Sequence, residues 1–228
     1  MFILRSILAP FRPRPLTAYE RAVRDLAQGR DAQALERLET LIAGEALSGR
    51  QRAEAENKRG VALVHLNRRD EARAAFEVAL QATPRYAPAL VNLGNLQQEA
   101  GDFESAIRFY ESAAASDETY APAHHNLGVA LADEERFNEA MEQYQAALRI
   151  EPNAANLETD YGNALARSGR IPEAIAHYQA ALRLLPDSPI IHNDLVNAFS
   201  ATAASLPQAS LLPGQARKRP SIAMAESG

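Results

Sequence analysis

Residues 121–154 read APAHHNLGVALADEERFNEAMEQYQAALRIEPNA. Within them Leu127 and Leu131 make an apolar i, i+4 pair, and Phe137, Met141, Tyr144 and Leu148 follow at steps of four, three and four. These steps are helical, not the alternation of a strand. Between the two runs lies the polar break Asp133-Glu134-Glu135-Arg136, and Pro152 ends the stretch, because proline cannot continue a helix. The stretch reads as two helices joined by a short turn.

The same pattern extends in both directions. Gly60, Gly94, Gly128 and Gly162 recur every 34 residues, and Ala72, Ala106, Ala140 and Ala174 keep the same register. Phe76, Tyr110, Tyr144 and Tyr178 follow four residues after those alanines, then Ala79, Ala113, Ala147 and Ala181. Pro84, Pro152 and Pro186 close three of the units, with Glu118 in the other. Gly101 and Gly169 in the breaks suit the left-handed residue that ends many helices, and Pro172 suits a first turn. A glycine inside a helix costs about 1 kcal/mol relative to alanine, so its recurrence implies a compensating contact. The expected one is close approach of the partner helix where the small alanine sits, with the aromatic beside it. One such pair cannot bury its apolar face, whereas stacked pairs share a continuous core. The predicted fold is an all-α solenoid of stacked antiparallel helix pairs.

These residues resemble the tetratricopeptide repeat family, in four units at 53–86, 87–120, 121–154 and 155–188. A degenerate hairpin, 15–52, precedes them with Gly29, Ala34, Leu38 and Leu41 at matching offsets, and Gly49-Arg50-Gln51-Arg52 resets the register. The large aromatic that the family favours early in the first helix is replaced by Glu56, Leu90, His124 and Glu158. The resemblance implies a right-handed superhelix whose first helices line a concave face that holds an extended peptide or a partner helix. Residues 189–205 are read as a capping helix, with Ile191, Leu195 and Phe199 facing one way and Asn193, Asp194 and Asn197 elsewhere. Residues 206–228, with Pro207, Pro213, Gly214 and Pro220, are expected to be a disordered tail.

Composition narrows the chemistry. There is no cysteine, which excludes disulfides, thiolate nucleophiles and thiolate-bound metals. The net charge of -5 argues against nucleic acid, and Arg217-Lys218-Arg219 is too short a cluster to reverse that. The apolar run from Met1 to Phe11 is broken by Arg5 and is about half the ~20 residues a membrane span requires. Residues 1–14 therefore read as a frayed terminus or a strip over the first helix, with an interfacial membrane anchor as the alternative. His65, His124, His125, His177 and His192 lack metal-ligand spacing, and no phosphate-binding glycine loop occurs. The expectation is a cytoplasmic, non-catalytic protein without cofactor or metal.

Candidate binding residues lie beside the recurring glycines. Asn92, Asn126, Asp160 and Asp194 share one position in successive first helices, and Asn95, Asn163 and Asn197 lie three residues further on. This looks like the asparagine ladder in the repeats of O-linked N-acetylglucosamine transferases, here without a catalytic domain. The resemblance implies carboxamides that grip a peptide backbone, which suits a group that both donates and accepts. The expected groove comprises Asn92, Asn95, His125, Asn126, Asp160, Asn163 and Arg167, with a protein or peptide as partner. A basic clamp for a C-terminal carboxylate is not expected: around Asn57 and Lys58, then Val91 and His125, the required cations are missing. Two other readings stay open: a membrane-peripheral assembly factor tethered by residues 1–14, and an accessory subunit of a transferase system. Self-association is left undecided by the sequence.

Overall fold

The computed structural model describes residues 16–44 and 46–205; the expectations for residues 1–14 and 206–228 lie outside the described residues. The chain forms eleven described helices: α1 (Ala18–Ala27), α2 (Asp31–Gly44), α3 (Gly49–His65), α4 (Arg69–Ala82), α5 (Ala87–Glu99), α6 (Phe103–Ser116), α7 (Ala121–Asp133), α8 (Phe137–Ile150), α9 (Ala155–Arg167), α10 (Ile171–Leu184) and α11 (Pro189–Ser205). Each packs most closely on its partner in the pair, then on the next pair, which is the connectivity of a tetratricopeptide-like solenoid. Successive first helices α3, α5, α7, α9 and α11 also touch one another, whereas no two described second helices of neighbouring pairs approach as closely. The array therefore curves with its first helices on the inside.

The repeat signature is the core. Ala72, Ala106, Ala140, Ala174, Ala79, Ala113, Ala147 and Ala181 are fully buried, and Phe76, Tyr110, Tyr144 and Tyr178 are nearly so. Leu80 and Phe109 pack against the clusters on both sides of them, so the seam runs on from one unit to the next. The glycines do something different from the expectation. A Cβ at Gly60 would lie 2.3 Å from the Phe76 ring, and one at Gly94 2.4 Å from the Tyr110 ring. Each glycine thus makes room for the aromatic of its own second helix, not for an alanine.

Local chemistry sets the boundaries. Thr17 caps α1 and Ser48 caps α3, each in a reciprocal pair with the residue three on, Glu20 and Gln51. Because Ser48 starts the helix, Gly49-Arg50-Gln51-Arg52 adds one turn to α3, which has 17 residues against 13 in α5, α7 and α9. Gly101 and Gly169 do take positive φ, of 82° and 83°. Where the family's early aromatic is missing, polar pairs fill in: Glu56 binds Arg59 at 3.1 Å, His124 contacts Gln143 at 2.9 Å, and Glu158 contacts His177 at 2.7 Å.

In α11 Ile191 and Ala198 face the core and Leu195 is half-buried, but Phe199 is 50% exposed, so it does not share their face. Val196 occupies the place of the recurring glycine and is also exposed. Among the described residues, nothing therefore packs on the side that receives the second helix in every other unit.

Asp25 in α1 is buried and holds two cations: Arg30 Nε donates at 3.0 Å and Arg37 Nε at 2.8 Å. The Arg30 hydrogen bond holds the carboxyl below its usual range; burial opposes this, and the Arg37 bond adds to the lowering. A depressed carboxyl stabilises the fold above its unfolded pKa of about 3.9, and that contribution is lost as pH falls through the lower folded value. Protection of the α1 and α2 amides against exchange, taken relative to the free peptide at the same pH, should fall as the pH drops below about 4. In Asp25→Asn that protection should be low already at pH 7 and show less pH dependence. Identical pH profiles for the two proteins would remove Asp25 as the cause.

Candidate functional site

The inner face presents one row of side chains per first helix, and the rows are tied together. Asn92 Nδ2 on α5 donates to Asn57 Oδ1 on α3 at 2.8 Å, and Asn126 Nδ2 on α7 donates to Asn95 Oδ1 on α5 at 2.8 Å. His125 Nε2 on α7 lies 2.7 Å from Asp160 Oδ2 on α9. Arg167 on α9 reaches Asp133 on α7 at 3.2 Å, and its guanidinium sits 5.4 Å from the Phe137 ring centroid. The structure thus brings Asn92, Asn95, His125, Asn126, Asp160, Asn163 and Arg167 to one face, the first six half-buried and Arg167 exposed. It also shows these carboxamides spending hydrogen bonds on neighbouring units.

The second helices reach through to this face. The Tyr110 hydroxyl lies 2.8 Å from Asn95 Oδ1 and 2.9 Å from the terminal amide of Gln98; Tyr178 donates to Asn163 Oδ1 at 2.9 Å. A hydroxyl has one proton, so both Tyr110 contacts cannot be donations. Asn95 Oδ1 also takes the Asn126 N–H, so it stays the acceptor, and Gln98 turns its NH2 toward the phenol oxygen. With both lone-pair directions of Asn95 Oδ1 used, its NH2 is left for the groove, and Asn163 is oriented in the same way. Burial pushes the Tyr110 phenol up, and it pushes Tyr178 up to about 12, so both remain protonated donors. Asp194, at the ladder position of α11, is raised by burial.

Some of this was not anticipated from the sequence. Asn57, buried as an acceptor, and the tyrosine hydroxyls were missed, although a tyrosine above Asn95 and Asn163 but a phenylalanine above Val61 is a readable signal. Tyr86, the last residue of its unit, was missed as well. Its phenol is pushed up to about 12, first by burial and then by Glu54, Tyr19 and Tyr120. Two clefts lie away from these residues: one of about 760 Å³ against α1 and α2 beside Arg21, Glu36 and Leu41, and one of about 520 Å³ between the second helices α6 and α8 beside Glu111, His124 and Gln143. Among the described residues no His, Asp and Glu grouping could hold a metal ion, and no helix is long and apolar enough to cross a membrane.

Comparison with known proteins agrees with this geometry. Tetratricopeptide repeat profiles match residues 19–87, 63–131 and 121–154, and a profile described as a TPR repeat matches 162–202. No curated protein matches the sequence. Among solved structures the chain is similar to YrrB, a TPR protein with an unusual peptide-binding site, at 21% identity and a TM-score of 0.57 over 82% of this chain and 90% of that one. It is also similar to a thermophilic TPR protein of Thermus thermophilus, at 21% identity and a TM-score of 0.63 over 80% and 97%. The Cut9-Hcn1 hetero-tetramer of APC/C matches at 19% identity and a TM-score of 0.71, over 79% of this chain and 35% of that one. These likenesses carry the fold, and none singles out transferase-type repeats. With the 34-residue units, their buried glycine–aromatic seams and the profile matches in agreement, the chain is a tetratricopeptide repeat protein.

Proposed function

We propose that the chain is a non-catalytic protein-interaction scaffold that holds an extended segment of a partner along its inner face. The carrying observation is the row of carboxamides at Asn92, Asn95, Asn126 and Asn163, half-buried and oriented by their neighbours. Amide groups fixed in this way offer a peptide backbone donors and acceptors whatever its side chains, and little ordering entropy remains to be lost on binding. The peptide-binding site named for YrrB, which shares the fold, supports the same reading. So does the ladder resemblance to O-linked N-acetylglucosamine transferase repeats.

The test is selection of a random decapeptide library on the immobilised full chain. Replacing Asn92 and Asn126 together by alanine should lower peptide retention about tenfold, the effect of roughly one or two lost hydrogen bonds. It should also lower stability by about 1 kcal/mol per inter-unit bond, since Asn57 loses its partner. Glu142→Gly, on the exposed side of α8, costs a comparable amount through helix propensity without touching the groove. The control should retain peptides like the parent. If the double variant does so too, the carboxamides do not hold the ligand.

A further inference from the structure

Unit three breaks a pairing rule that the other units keep. The residue after the glycine is Asn95 or Asn163 where the aromatic is Tyr110 or Tyr178, and Val61 where it is Phe76. In unit three Tyr144 meets Val129 at that position. Tyr144 is 2% exposed, and its hydroxyl has no hydrogen bond to any described residue. Yet no fully buried side-chain oxygen or nitrogen lacks a partner among the described residues, so this oxygen is not completely sealed from solvent. Its counterparts on Tyr110 and Tyr178 end at the inner face, against Asn95 and Asn163. Tyr144 occupies the same repeat position, which directs its hydroxyl to the same face.

The charges around it are mixed, with carboxylates in excess. The phenol is raised first by burial, then by Asp160 and Asp133, with Arg167 opposing. His125, whose ring centre is 6.3 Å from that of Tyr144, holds Asp160 from the other side. Tyr161 stacks on Tyr144 with ring centres 5.7 Å apart. The Arg167–Asp133 bridge is about half exposed on both sides, a kind of pair that contributes little and opens easily. When it opens, Arg167 still has the Phe137 face to rest on.

Resting on the groove reading above, we propose that units three and four carry an anchoring site for a lysine of the bound segment, with the Tyr144 hydroxyl as its floor and the Asp133 and Asp160 carboxylates as its walls. An ammonium brings three donors and no acceptor, which matches one phenol oxygen and two carboxylates. An anion would meet both carboxylates. An apolar side chain would cover the phenol without bonding it, at the cost of an unsatisfied buried hydroxyl.

The same decapeptide selection on the full chain tests this. Peptides retained by the parent should be enriched in lysine at one position. Exchanging that lysine for norleucine in a selected peptide should weaken binding about tenfold, the scale of one charge-assisted hydrogen bond. The exchange should matter little in Asp133→Asn/Asp160→Asn, and Tyr144→Phe should reduce the difference. Val129→Lys, one turn before Asp133, supplies an ammonium from the protein itself and should abolish the lysine preference while the fold persists. Circular dichroism melts confirm that each variant is folded. Retention without lysine enrichment, or an equal norleucine effect in parent and carboxylate variant, overturns the anchor and leaves the groove standing. No retention above that of the Asn92→Ala/Asn126→Ala variant overturns both.

Discussion

Replacing Tyr110 with alanine is expected to lower the unfolding free energy by about 3–5 kcal/mol, the range for deleting a fully buried aromatic. The side chain has 0% exposure, lies on Gly94, and ends in a hydroxyl bound to Asn95 and Gln98. Three losses therefore coincide: ring burial, the close glycine contact and the link to the inner face. Tyr110→Phe isolates the last, and should cost about 1 kcal/mol, because Asn95 keeps its bond from Asn126. Location matters as much as magnitude. In an array whose stability is a sum of units and nearest-neighbour seams, a lesion in α6 uncouples what lies on either side. Amide exchange should then accelerate in α5, α6 and their neighbours well before α9 and α10 respond. A loss below about 1.5 kcal/mol, or uniform acceleration through the chain, would contradict the account of that seam.

The sequence reveals the seam because a 34-residue period repeats the same burial four times, and Ala72 or Ala106 can only be kept small for one reason. It reveals less wherever an outcome depends on rotamers or on a helix start. The recurrence of Asn92 and Asn126 places them on one face, but not that Asn92 turns to Asn57, a residue 35 positions away. The four residues from Gly49 to Arg52 read only as an insertion that resets the register until Ser48 is seen to cap them into α3. Phe199 fits a one-face pattern with Ile191 and Leu195, yet at 100° per residue it lies well round the helix from Ile191. Among the described residues no second helix packs on that side, and Phe199 is left half exposed. The glycine's partner was misassigned because periodicity reports which positions are small and not what fills the space. Only the ring positions settle that.

The ring positions also rank the glycines, which a propensity argument cannot do. Every Gly→Ala change in a helix interior should gain about 1 kcal/mol from propensity, while overpacking a core costs about 1–3 kcal/mol. At Gly60 the new Cβ would lie 2.3, 2.6 and 2.7 Å from three atoms of the Phe76 ring, which is wholly buried and has nowhere to go. At Gly94 the nearest approach is 2.4 Å, and the Tyr110 ring is held at its far end by Asn95 and Gln98, so it cannot pivot away. Gly162 is intermediate at 2.7 Å, facing Tyr178 tied to Asn163. Gly128 differs: its Cβ would stand 3.0 to 3.2 Å from Tyr144, whose hydroxyl has no tether and can yield by the few tenths of an ångström required. Gly60→Ala and Gly94→Ala should therefore lose about 1–2 kcal/mol net, and Gly128→Ala should fall near zero or gain slightly. Urea unfolding of the four single variants measures the order directly. A Gly128→Ala loss as large as that of Gly60→Ala would mean that something other than ring contact keeps glycine in these helices.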